Sequence, residues 1–168
     1  LVWLEWLANL PLVGLFVLSF FPLTFAQIGN QLMVFAGAAQ LVRFIRWKPW
    51  TTLSEPLVWS LHAAYLCIPL SLLLRGLLDN PFASHNMLHL FAIGGLSGLI
   101  LAMITRVTMG HTGRAIYKGK SMALAFSAIF IAALVRSLGV TFFPAYLFEI
   151  VNISAGLWTL AFGLFIWK

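Results

Sequence analysis

Charge is what this sequence has least of. Only 8% of its 168 residues are charged, 4 acidic and 10 basic, while 62% are hydrophobic. Too few residues lie outside apolar runs to cover even a modest water-soluble core, which excludes a soluble domain. The single cysteine, Cys67, excludes an intrachain disulfide and reads as a small buried apolar residue. No nucleophile stands beside a base, no carboxylates are paired and no nucleotide loop is present, so the catalytic residues are unknown. No basic stripe lies on a soluble face, which excludes nucleic acid as a partner. The chain opens at Leu1 in apolar sequence, without the basic n-region and small-residue cleavage site of a signal peptide. A cleaved or trimmed start is the expectation there.

What is present is a succession of long apolar runs. A spanning helix takes about 20 apolar residues, and prolines, turns and charges divide the chain into six such pieces. They lie near residues 1–21, 24–46, 56–78, 84–109, 121–139 and 143–167. Barrel strands would instead alternate apolar and polar over about ten residues. The expected fold is an all-α polytopic transmembrane helical bundle of about six spanning helices, one transmembrane domain over residues 1–168. The lipid bilayer is its first partner, and short connections make neighbouring helices antiparallel.

Orientation follows from the cations. Arg43, Arg46 and Lys48 follow the second helix, Arg106, Arg114, Lys118 and Lys120 the fourth, and Lys168 the sixth. All share one side, and only Arg75 and Arg136 belong to the other. The positive-inside bias therefore puts both termini in the cytoplasm. Trp47 and Trp50, in "RWKPWTT", read as interfacial anchors.

Ionisable groups in hydrocarbon are expensive and mark sites by default. His85 and His89 are spaced i, i+4 and share a helix face, a spacing that can hold one metal ion. The pair can supply only one axial ligand to a haem, whose two axial ligands approach from opposite faces. Counting about 1.5 Å per residue puts His89 in the outer half with His85, Gln27, Asn30, Gln31, Glu149 and Asn152. The same count puts His62 in the inner half with Tyr65, Gln40, Arg106 and His111. Two candidate sites are therefore expected. Each has a plainer reading: a histidine donating to a neighbouring carbonyl, Glu149 with Asn152 as a helix contact, Gln27, Asn30 and Gln31 as interhelical glue. Pro69 should bend the third helix. Gly94, Gly98 and Ala102 form a small-residue stripe, most often a packing face, and at 100° per residue it lies nearly opposite His85 and His89.

"LHAAY" (Leu61 to Tyr65) and "HLFAIGGLSGLILAMITRVTMGHTGR" (His89 to Arg114), with the six-span hydropathy, resemble the NnrS family of bacterial membrane proteins. Its members are about twice as long with twice as many spans, and this chain resembles their C-terminal half throughout. The resemblance implies an inner-membrane protein containing haem, of b-type, and copper. It also implies a role in nitric oxide metabolism and resistance to nitrosative stress. Nitric oxide or its metal complexes would be partners, beside a second membrane half or a second copy of the chain. The family pattern matches His62, His89, Arg106, His111 and Arg114, giving a cofactor-binding set of these five with Tyr65. The candidate metal ligands are His62, His85, His89, His111 and Glu149. Arginine suits anionic haem propionates, because its planar fork pairs with a carboxylate. A small transporter with polar intramembrane sites, or a structural membrane module, is the alternative.

Overall fold

The computed structural model describes residues 2–21, 26–113 and 120–167. It is a helical bundle with no strand among these residues. We label the helices α1 (Val2–Leu18), α2 (Ala26–Arg46), α3 (Pro56–Leu77) and α4 (Pro81–His111). Helix α5 begins as Lys120–Leu134 and continues through Val135–Gly139 to Phe142, and α6 is Leu147–Trp167. Helices α2 to α6 are each long and apolar enough to cross a membrane. Helix α1 is apolar but has 17 residues, roughly 26 Å at the usual helical rise.

Local chemistry sets the boundaries. Proline occupies the first turn of α3 and of α4, where its missing N–H costs no helical bond. Asn80 caps α4 by accepting from the amides of Phe82 and Ala83. This cap starts α4 three residues before the apolar run, at Pro81, and the helix continues to His111. Arg43 and Arg46 close the last turn of α2, where cations oppose the helix dipole.

Packing places α3 and α4 at the centre. Helix α2 lies along α3, α1 along α2, and α6 along α5, while α4 meets both α3 and α5. Leu57, Leu101, Met122, Phe126 and Ile129 fill the core nearer the α4 C-terminus. Cys67, Leu90 and Ala133 fill the core nearer its N-terminus. The small-residue stripe serves packing. A methyl group on Gly94 would sit 2.5 Å from Cys67 Sγ, and one on Gly98 would sit 3.1 Å from Ala64 Cβ and from Phe130. Cys67 is buried, as expected of a small apolar residue.

Two helices depart from α-geometry. The ladder of α4 widens to i→i+5 bonding over Leu90–Ser97, and that of α5 over Val135–Gly139. Gly98 N–H reaches back to Ile93 O, and Ser97 Oγ donates to Ala92 O at 3.2 Å. A rotation of 100° per residue does not hold across such a segment. The expected opposition of the glycine stripe to the histidine pair therefore has no geometric basis.

Candidate functional site

The inner cluster forms where α2 and α3 meet beside the turn after α2. Tyr65 Oη donates to Gln40 Oε1, and Gln40 Nε2 donates to Ala8 O at 2.8 Å, so one buried amide ties α1, α2 and α3 together. Arg43 pairs with Glu5 at 3.0 Å and lies 5.2 Å from the centre of the Trp47 ring. That indole lies 4.6 Å from the Tyr65 ring and 6.3 Å from the His62 ring, centre to centre. His62 Nδ1 is 2.9 Å from Thr52 Oγ1, and Thr52 Oγ1 is also 2.8 Å from Pro49 O. A carbonyl only accepts, so the threonine proton goes to Pro49 and the threonine oxygen accepts from His62 Nδ1–H. The tautomer is thereby assigned from the network, with Nε2 carrying the lone pair.

The outer cluster is built on the first turns of α4. The His85 and His89 rings lie 6.1 Å apart, with His85 exposed and His89 half-buried. His89 Nδ1 lies 3.3 Å from Asn86 O, an acceptor only, so Nδ1 carries the proton and Nε2 the lone pair. Ser71 Oγ donates to Met87 O and Ser84 Oγ to Arg75 O, fastening this turn to α3. On its other side the turn packs against the widened segment of α5 that carries Arg136. Arg136 lies within electrostatic range of His89.

A family model for the NnrS protein matches residues 1–168. The chain belongs to the NnrS family. It is thereby a membrane protein associated with nitric oxide. No curated protein and no solved structure matches it.

In this NnrS-family chain the expected residues divide unevenly. Gln40, Tyr65 and His62, placed at one level by counting, do share one cluster through Trp47. Arg106 and His111 lie exposed near the end of α4, and no hydrogen bond, ion pair or ring contact joins them to His62 among the described residues. Arg114 lies outside the described residues. Gln27, Asn30, Gln31, Glu149 and Asn152 are all exposed and do not gather around His89. The reason is topological for the first three, since α2 packs on α1 and α3 while the histidine pair stands on α4. Among the described residues no three His, Cys, Asp or Glu side chains come together as a ready-made metal cage.

Several site residues went unrecognised in the sequence. Thr52 fixes the His62 tautomer, Asn86 supplies the carbonyl for His89, and Arg136 lines a groove between α4, α5 and α6. Arg136 carried a usable signal, an arginine within an apolar run, which implies an interior partner as readily as a topology marker. The widened turns of α4 and α5 leave no periodicity signal. Such turns frequently occur at functional sites.

The donor set fits metal chemistry at two points. A metal-bound histidine donates its other ring N–H to a carbonyl, carboxylate or water, which fixes its orientation. His89 meets this description through Asn86 O. His62 does so through a hydroxyl held in turn by a carbonyl. In both, Nε2 has no hydrogen-bond partner among the described residues.

Proposed function

We propose that this NnrS-family chain binds haem and copper in the bacterial cytoplasmic membrane. There it acts in nitric oxide metabolism and in resistance to nitrosative stress. The observation that carries the reading is the common state of His62 and His89. Both are anchored through Nδ1, both offer Nε2, and they stand on different helices, α3 and α4. His62 and His89 would be the principal ligands. His85 is a further donor one turn from His89, and His111 and Glu149 are donors from the ends of α4 and α6. Tyr65 and Trp47 would border the His62 site. Arg106, with Arg114, would face anionic groups of the haem, since guanidinium matches a carboxylate in pairs. Haem or copper would supply a metal centre able to bind nitric oxide.

The chain's own residues position and desolvate. Thr52 and Asn86 hold the two imidazoles, and Phe44 and Trp47 flank His62 within about a ring's reach, at 6.4 and 6.3 Å between centres. No reaction is assigned, because no acid, base or nucleophile stands in a catalytic arrangement among the described residues. A second membrane half or a second copy of the chain would complete the assembly.

Haem extraction and copper analysis of protein purified from membranes test the proposal. Both cofactors are expected in a fixed ratio to the chain. Protein that carries neither after growth with iron and copper supplied would contradict it.

Orientation is open to a separate check. The eight cations on one side predict that reporters fused after Lys168 and within residues 112–120 both read cytoplasmic. A periplasmic signal from either one would invert the bundle or change the number of spans.

A further inference from the structure

Some buried N–H donors of the bundle find no acceptor among the described residues. Arg136 Nη1 is buried without a hydrogen-bond partner, as are Arg75 Nε and Asn86 Nδ2, all among the described residues. Asn86 is 3% exposed. Arg136 also lines a groove of about 260 Å³ between α4, α5 and α6, together with Ile93, Ser154, Ala155 and Trp158. Of the polar side chains beside it, Ser154 Oγ donates to Ala132 O at 2.9 Å and Trp158 Nε1 donates to Ser97 Oγ at 3.3 Å, while Thr159 is exposed. No carboxylate forms an ion pair with Arg136 among the described residues. Glu5 is paired with Arg43, and Glu149 is exposed.

A guanidinium stays charged in a protein; Arg136 is half-buried, and its enclosed Nη1 is a donor left unpaired, which is unfavourable. The unused donor at the groove, Arg136 Nη1, is an N–H group, which fits a ligand that accepts. A planar fork further selects a planar pair of oxygens. We propose that the α4–α5–α6 groove binds a single carboxylate or small planar oxyanion, with Arg136 as its counter-charge. The site stands on Arg136 and the groove, and it requires no metal on either histidine. The carboxylate could belong to a free small anion or to the side chain of a larger bound cofactor.

The test uses the full chain in an uncharged detergent without added haem, titrated with formate and with nitrate at ionic strength held constant by chloride. Subtracting the Trp158→Phe signal isolates the fluorescence of Trp158, which lines the groove. A saturating change is expected in the native chain. Half-saturation should rise at least tenfold in Arg136→Gln. Ala155→Leu keeps the charge but narrows the groove, so it should weaken binding even if Arg136→Gln fails to fold. A response in the native chain that never saturates would overturn the proposal. So would one that saturates at the native concentration in both variants. Repeating the titration after haem loading separates the sources. A formate response abolished by haem assigns the site to the cofactor's carboxylate, and one that survives assigns it to a free anion, either of which supports the site.

Discussion

Gly37→Ala is expected to be strongly destabilising for a change of one methyl group. Helix α2 approaches α3 so closely at this point that a Cβ on Gly37 would lie 2.7 Å from Leu73 Cγ and 2.9 Å from both Leu73 N and Pro69 O. Two of those three atoms are backbone, so no rotamer change relieves the contact and the helices must separate. Separation also loosens the hydrogen bond from Tyr65 to Gln40, which bridges the same pair of helices. Overpacking of this kind costs about 1–3 kcal/mol, and the upper end is expected here. Gly94→Ala differs in kind, because its nearest obstacle is the Cys67 sulfur. Cys67→Ala should therefore recover part of the Gly94→Ala loss, a non-additivity that a double-mutant cycle reads directly. Gly156 has no neighbour within 4 Å of an added methyl, and Gly156→Ala should leave stability unchanged or raise it. Thermal unfolding in detergent measures all four. Native stability in Gly37→Ala would mean that α2 and α3 do not meet as described.

His62→Ala and His89→Ala are each expected to lower bound haem or copper severalfold or abolish it, with the protein still inserted in the membrane. The expectation rests on the way each ring is held. An imidazole whose Nδ1–H is tied to a fixed acceptor keeps its Nε2 aimed, and loss of such a support typically costs about 10–100-fold in metal affinity. Thr52→Val should thus reproduce part of the His62→Ala defect without touching a ligand, while Thr52→Ser should behave as the native protein. His85→Ala should cost less than His89→Ala, because His85 is exposed and no hydrogen bond orients it among the described residues. Cofactor content per chain, measured on purified protein, is the readout. Full occupancy in both histidine variants would remove these residues from the site.

The all-α, membrane-spanning character of the bundle was legible in the sequence because hydropathy, proline and capping act locally; of the six spans expected, five helices have the length and the sixth, α1, is shorter. The Asn80–Pro81 cap shows the limit of reading apolar runs alone, since α4 begins at the cap and not where the hydrophobic run begins. Depth counting succeeded for Gln40, Tyr65 and His62, which lie on adjoining helices at one level. It did not extend to Gln27, Asn30 and Gln31, because a shared level says nothing about which helices are neighbours, and α2 packs on α1 and α3. The small-residue stripe was readable as packing, and Gly94 and Gly98 do receive Cys67, Ala64 and Phe130. Its angular relation to His85 and His89 was not readable, because the widened turn at Leu90–Ser97 leaves no mark in the sequence periodicity. The same holds for Thr52 and Asn86. Their partnership with the histidines comes through a hydroxyl ten residues away and a backbone carbonyl, neither of which leaves a motif.

The most direct test of a metal centre that meets nitric oxide is the visible spectrum of the purified, reduced protein before and after nitric oxide is added without oxygen. The isolated protein is expected to show a Soret band that shifts on addition, and that weakens or disappears in His62→Ala and His89→Ala. A purified protein with no Soret band and no copper, or one whose spectrum nitric oxide leaves unchanged, would contradict it.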